Sequence, residues 1–399
     1  MQKELTYNDI SLFSRQVSNI QSRFSGDIKL TNKIKFGNSI IETGFIMSAP
    51  MYDVTGLDLS LFLLENDQIP VIHRFMDTTQ QIKIFMDITR HFDFDKSKIY
   101  TYSVGINDCE DKIKYLSDYL EIIKKKRNGL NILICIDTAN GANRLLEKPV
   151  SVINKLKEEY SDVNIEILSG NIVTKEASEY LYNLGVKFQR VSISTGSACS
   201  TSVVTGIYRP PVSAIMEIAE YKEYNNLNDL YIIADGGFKE ISDYIKAIAI
   251  GADFVMSGSF FAGYKESNSP LLKYKNDKFE IVNKKTPSEY YENELKNLGT
   301  SIMIDSGYYT FHKFYRGMAS AEMANLNNRV NGLNKKILAE GVSSTIKYKE
   351  NLNGDLQNLL DSFKSSMSYC NARNFDEFRL FIEIVEISEN SLKQRRPHV

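Results

Sequence analysis

The chain contains no tryptophan, and only four cysteines, four histidines and eight prolines in 399 residues. Cys109, Cys135, Cys199 and Cys370 lie far apart with no Cys-x-x-Cys pair, which excludes the usual zinc spacing and a disulfide framework and points to a reducing compartment. Histidine is equally sparse. His73 ends an apolar run and reads as structural, while His91, His312 and His398 carry no signal, so neither a metal cluster nor a Ser/His/Asp triad is indicated. Charge of one sign is also missing. With 48 basic and 50 acidic side chains the net charge is -2, too little for a broad field that would gather nucleic acid or an anionic membrane. No run reaches about 18 uninterrupted apolar residues. Met1 to Ile10 lacks a signal-peptide core, so the chain reads as cytoplasmic, neither secreted nor membrane-spanning.

What is present is a regular alternation. Short apolar runs recur at Gly44–Ala49, Ile69–His73, Tyr100–Gly105, Ile132–Asp137, Ile165–Ser169, Phe188–Ile193, Leu230–Ala234 and Phe254–Ser257. Segments with apolar residues at helical spacing separate them. Thr78 is placed to cap a helix presenting Ile82, Phe85 and Met86, and Thr174 precedes Ala177, Leu181 and Leu184 before Gly185 ends that run. Pro210 and Pro211 open another, and Ile241, Ile245 and Ile248 a further one. Continuous apolar strands alternating with amphipathic helices predict a parallel sheet covered by helices, and eight such units close a (β/α)8 TIM barrel. A doubly wound open sheet is the alternative.

Beyond Gly263 the pattern breaks into a polar stretch, about 264–313, too long for an ordinary connection and read as an insertion or lid. An irregular segment, about 324–350, precedes a helix over Leu356–Ser366 that Asp355 is placed to cap, with another near Asp376–Phe381. Function in a barrel sits at the carboxyl ends of the strands. Glycines there let a ligand approach the backbone, so Gly236, Gly237, Gly258 and Ser259 fit a phosphate, with Asp235 beside them for ribose hydroxyls. Asp235 as a helix cap and Gly236-Gly237 as a plain turn are the bland readings. Cys199 ends a Ser/Thr/Gly-rich turn that favours an exposed, nucleophilic thiolate; the bland alternative is a small buried hydrophobe, as Cys135 reads.

Taken together, the segments resemble the family of inosine monophosphate dehydrogenase and guanosine monophosphate reductase. The resemblance runs through Leu5-Thr6-Tyr7-Asn8-Asp9, Ser48-Ala49-Pro50-Met51, Gly170-Asn171-Ile172-Val173-Thr174, Thr195-Gly196-Ser197-Ala198-Cys199, Ala234-Asp235-Gly236-Gly237, Met256-Ser257-Gly258-Ser259 and Tyr315-Arg316-Gly317-Met318. It implies a covalent thioimidate between Cys199 and purine C2. Ser197, Asp235, Gly236, Gly237, Gly258, Ser259, Tyr315, Gly317 and Met318 are then expected to hold the nucleotide. The loop Asp137-Thr138-Ala139-Asn140-Gly141 is similar to the reductase version, which places Asp137, Ala139 and Asn140 at the cofactor, NADPH. Thr201 and Glu340 fall where reductases hold the acid/base relay for the leaving amine. The expectation is therefore NADPH-dependent reductive deamination of guanosine monophosphate, by one barrel domain spanning 1–399 and acting as a homotetramer without CBS modules.

Departures from the family pattern carry the alternatives. Tyr52 follows Met51 where family members have Asp, and Arg74 replaces the reductase lysine. Thr195 beside Ser194 alters the loop that would hold a monovalent cation such as K+ at Ser194, Gly196 and Cys199. Arg329 is followed by Val330, not by the tyrosine of the dehydrogenase flap. A dehydrogenase with an atypical flap and a catalytically weak purine-nucleotide-binding protein are the two other readings.

Overall fold

The computed structural model describes residues 3–24, 26–275, 278–282, 310–320, 323 and 341–394. A first strand, β1 (Ile10–Ser14), and a hairpin of β2 (Asn32–Phe36) and β3 (Ser39–Thr43) lead into the main sheet. Its strands are β4 (Ile46–Ser48), β5 (Ile69–Pro70), β6 (Ile99–Val104), β7 (Asn131–Asp137), β8 (Asn164–Ile172), β9 (Phe188–Val191), β10 (Tyr231–Asp235) and β11 (Phe254–Ser257). They pair in parallel in the order β5-β4-β11-β10-β9-β8-β7-β6. The seam between β5 and β6 is closed by hydroxyls. Thr101 Oγ1 donates to the Pro70 carbonyl at 2.6 Å and accepts from Ile72 N–H at 3.2 Å, and Ser103 Oγ donates to the Ile72 carbonyl. The result is a (β/α)8 barrel.

Each expected run supplied a strand because both its faces are covered. Ile132 to Ile136 are all 0% exposed, so every side chain contributes about 1.5–3 kcal/mol of apolar burial and none need alternate with polar residues. The covering helices are α1 (Leu57–Glu65), α2 (Thr78–His91), α3 (Cys109–Ile122), α4 (Glu147–Glu159), α5 (Lys175–Asn183), the short α6 (Thr201–Thr205), α7 (Pro211–Tyr224) and α8 (Ile241–Ala249). Thr174 caps α5 through Ala177 N–H, as its spacing predicts. Thr78 does not cap α2: Asp77 takes the Gln80 N–H, because a carboxylate one residue earlier reaches the free donors. At the amino end of the barrel the β2–β3 hairpin forms a plug, with Gly37 N–H on the buried Glu166 carboxylate at 3.0 Å and Asn38 N–H on Asn164 Oδ1 at 3.2 Å. The hairpin covers the amino end, and the residues that end the strands gather at the carboxyl end.

The polar stretch after β11 contains regular structure. β12 (Leu271–Lys275), β13 (Lys278–Val282), β14 (Thr310–Arg316) and β15 (Ser343–Lys347) make an antiparallel sheet in the order β13-β12-β14-β15. The chain then returns as α9 (Leu352–Tyr369) and α10 (Phe375–Phe381), whose Phe363 and Phe375 pack edge-on against Phe45. Asn351, not Asp355, caps α9, through Gly354 N–H; Asp355 lies in the first turn and accepts from the Tyr264 hydroxyl. β16 (Ile382–Glu386) pairs antiparallel with β1, and α11 (Glu389–Gln394) follows. Among the described residues, no helix is long and apolar enough to cross a membrane.

Candidate active site

The turn after β9 carries the nucleophile candidate. Ser194 adopts φ 63°, and the Ser202 N–H is fastened to its hydroxyl at 2.7 Å, which folds the chain back between β9 and α6. Cys199 N–H donates to the Gly196 carbonyl at 2.9 Å, engaging one lone pair of a candidate cation ligand. The Cys199 thiol is partly exposed, 3.2 Å from Thr201 Oγ1 and 3.8 Å from Ser194 Oγ. Cys109, Cys135 and Cys370 are buried, and burial pushes the first two thiols up to about 12, which leaves them protonated and inert. Gly341 bridges to Cys199, and Val342 N–H donates to the Ala198 carbonyl at 3.0 Å. Glu340 and Arg329 lie outside the described residues.

Beside the cysteine loop stands the end of β14. Ser197 Oγ donates to the Tyr315 hydroxyl at 3.1 Å. Burial raises the Tyr315 pKa, with Ser197 acting the other way, so the phenol remains a donor. Gly258 is confined: a Cβ there would lie 2.3 Å from Met51 Sδ and 3.5 Å from the Tyr315 hydroxyl. Gly236 and Gly237, both at φ 84°, turn the chain after β10. Gly317 N–H donates to the Val342 carbonyl at 3.0 Å, and Met318 Sδ lies 3.4 Å from Tyr52 N. The structure thus brings Cys199, Thr201, Ser197, Tyr315, Gly317 and Met318 onto one wall.

The third part is a buried ion network that sequence reasoning missed. Arg190 comes from the buried strand β9 and is 8% exposed; its Nε and Nη2 meet Asp235 Oδ2 at 2.9 and 2.8 Å, and its Nη1 meets Asp137 Oδ1 at 3.1 Å. Burial opposes its charge, but the two carboxylates outweigh burial and raise its pKa. Asn171 donates to the same Asp235 oxygen at 2.8 Å, so all three donors converge on Oδ2. Asp137 Oδ2 is 3.3 Å from Arg74 Nε, an ion pair without hydrogen-bond geometry, and that buried Nε has no hydrogen-bond partner. The loop residues Ala139 and Asn140 are exposed beside it. Gln189 and Arg190, two polar residues between Phe188 and Val191 in a strand buried throughout, were the signal for Arg190. A second missed pair is Asp53 with Arg316, at 2.7 and 2.5 Å, so Asp53 is consumed as an anchor for the segment bearing Tyr315. His73 is buried and neutral, its pKa pushed down to about 3 by burial. Among the described residues no cluster of His, Cys, Asp or Glu is arranged to hold a metal ion.

The barrel, with its partly exposed thiol, glycine turns and the Asp235 carboxylate at the same end, is joined by one further finding. The family model for the IMP dehydrogenase / GMP reductase domain matches residues 4–286 and 297–398. The chain belongs to this family. Within the IMP dehydrogenase / GMP reductase family, the chain is 29% identical over 428 residues to an inosine-5'-monophosphate dehydrogenase from Borreliella burgdorferi, covering 99% of this chain and 96% of that protein. Inosine-5'-monophosphate dehydrogenases from Chlorobaculum parvum and Thermoplasma acidophilum are each 30% identical over 67% and 69% of the chain, which spans about half of their length, 47% and 48%.

Proposed function

We propose that the chain oxidises inosine monophosphate at C2 through a covalent bond to Cys199. The observation that carries this reading is the near end-to-end similarity to the Borreliella dehydrogenase, 96% of whose length is covered. It moves the dehydrogenase ahead of the reductase that the loop motifs favour. Tyr315, Ser197, Ser259 and the glycine turns hold the 5'-phosphate, the free oxygen of Asp235 takes ribose hydroxyls, and Met318 lies against the base. The Cys199 sulfur adds to C2. Hydride departure leaves a thioimidate, water adds to C2, the carbon–sulfur bond breaks, and xanthosine monophosphate leaves with the thiol restored.

A nicotinamide dinucleotide fits the far side of the site. The orphaned Arg74 Nε and the Asp137 carboxylate offer a donor and an acceptor at the same rim, which a ribose or carboxamide requires. When bound, such a cofactor accepts the hydride. The chain's own task is to hold it there: Arg190 fixes Asp137 on this side and Asp235 on the substrate side. Val203, Ile207, Tyr208 and Val342 are exposed apolar side chains beside the cysteine loop, which supports a homo-oligomer, expected to be a tetramer.

The second reading is NADPH-dependent reductive deamination of guanosine monophosphate. Thr201 Oγ1 at 3.2 Å from the Cys199 sulfur favours it, since that hydroxyl is in reach of an amine on C2. Cofactor absorbance separates the two. Inosine monophosphate with NAD is expected to give a Cys199-dependent rise, with K+ tested beside it. A Cys199-dependent fall with guanosine monophosphate and NADPH would establish the reductase instead, and tight nucleotide binding with neither change would make the chain a binding protein.

A further inference from the structure

The Leu5–Asp9 motif makes no contact with the thiol, yet it reaches the phosphate turns from behind. Tyr7 is 3% exposed and its ring stacks on Phe238 with centroids 5.4 Å apart and planes at 29°. Phe238 stacks in turn on Tyr244 at 4.1 Å and 25°. Tyr244 donates its hydroxyl to Ser257 Oγ at 3.0 Å, and that oxygen also accepts the Phe260 N–H at 3.2 Å. The three rings thus run from the N-terminal motif, beneath the turn at Gly236-Gly237, to the residue just before Gly258-Ser259. Tyr7 also lies beside the first turn: it lines one cavity with Gly237, and a Cβ added to Gly237 would come within 3.6 Å of Tyr7 Cε2.

The motif is itself pinned in place. Leu5 N–H donates to Ser213 Oγ at 2.7 Å, Thr6 N–H donates to Asp9 Oδ2 at 2.8 Å, and the buried Lys246 ammonium donates to the Tyr7 carbonyl at 2.6 Å. The Tyr7 hydroxyl has no hydrogen-bond partner, so what Tyr7 supplies is its ring. A cavity of about 240 Å³ lies among Tyr7, Gly237, Lys239, Asp243 and Ser194-Thr195, so the turn has room to sag if the ring is removed.

We infer that Tyr7, Phe238 and Tyr244 form an aromatic brace that preorganises the two phosphate-binding turns, with Tyr7 a positioning residue for the nucleotide 5'-phosphate. This rests on the proposed nucleotide site. Two glycines at φ 84° have many other conformations available when free, and a stack that holds Phe238, the residue following them, between Tyr7 and Tyr244 restricts those alternatives before the ligand arrives.

The test is calorimetric titration of the wild type and of Tyr7→Phe, Tyr7→Leu and Tyr7→Ala with inosine monophosphate, inosine and inorganic phosphate. Tyr7→Phe is expected to match the wild type. Tyr7→Ala and Tyr7→Leu are expected to weaken inosine monophosphate and phosphate by about tenfold, the scale of one lost aromatic stack, and to change inosine less than about twofold. Equal binding by all four proteins, or equal losses for inosine and its monophosphate, would overturn the brace. Should Tyr7→Ala not fold, judged by circular dichroism, Tyr7→Leu and Phe238→Leu carry the comparison. Wild type that binds phosphate but not inosine monophosphate would sink the proposed substrate and leave the brace to be judged on phosphate alone.

Discussion

Replacing Arg190 by methionine tests whether the ion network is the structural keystone of the site. The guanidinium makes two contacts to Asp235, at 2.9 and 2.8 Å, and one to Asp137 at 3.1 Å. Charge-assisted hydrogen bonds are worth about 1.5–3 kcal/mol each, but the cost of burying the cation offsets part of that sum. The variant also leaves two carboxylates of like charge without their shared cation. Removing one member of a buried ionic cluster costs about 3–5 kcal/mol, and that is the loss expected for Arg190→Met in urea unfolding at fixed protein concentration. Arg190→Lys keeps the charge but not the fork that reaches both partners, so about 1–3 kcal/mol is expected. Adding Asp235→Asn to Arg190→Met should restore part of the loss by removing one stranded charge. A methionine variant within about 1 kcal/mol of wild type would refute the reasoning, as would a lysine variant as damaged as the methionine one.

Three further outcomes are expected. Gly317→Ala puts a Cβ 2.3 Å from the Ala198 carbonyl oxygen, where backbone must yield, so turnover should fall on the order of a hundredfold; Gly258→Ala clashes with the flexible side chain of Met51 at 2.3 Å and otherwise makes ordinary contacts, with the Tyr315 hydroxyl at 3.5 Å, and should be milder in the same assay. His73 is neutral when folded, its pKa lowered from 6.5 to about 3 by burial with Lys112 adding to it, so the unfolded chain gains a proton first and stability falls as pH drops across that window. His73→Asn should flatten that slope in acid unfolding curves. Lys313 is likewise lowered from 10.5 to about 8, by burial against opposing Glu266 and Asp58, and donates to the Lys265 and Ser267 carbonyls at 3.0 and 2.9 Å. Stability should therefore fall as pH drops from 10.5 to about 8, a dependence that Lys313→Met is expected to abolish in thermal melts.

The barrel was legible because strands buried on both faces leave continuous apolar runs, and the residues ending those runs are the ones the sheet delivers to one rim. The antiparallel sheet was not. Leu271 and Leu272 are adjacent and both buried, while Lys278 to Ile281 are exposed, so neither strand shows alternation. Asn351 and Asp355 are both capping residues within one turn, and only the backbone geometry decides between them. Cys199, Ser197 and Tyr315 were visible as motif residues, but their convergence depends on β14 returning across the barrel mouth. Arg190 and Asn171 were hidden for a different reason: their roles come from pairing with residues on other strands, which spacing along the chain does not encode.

The central claim is that Cys199 bonds covalently to the purine. Mass analysis of protein quenched in acid during turnover with inosine monophosphate and NAD tests it most directly. The expected result is a purine nucleotide attached to the peptide carrying Cys199 and absent from Cys199→Ala. Turnover with that peptide unmodified, or turnover by Cys199→Ala, would contradict it.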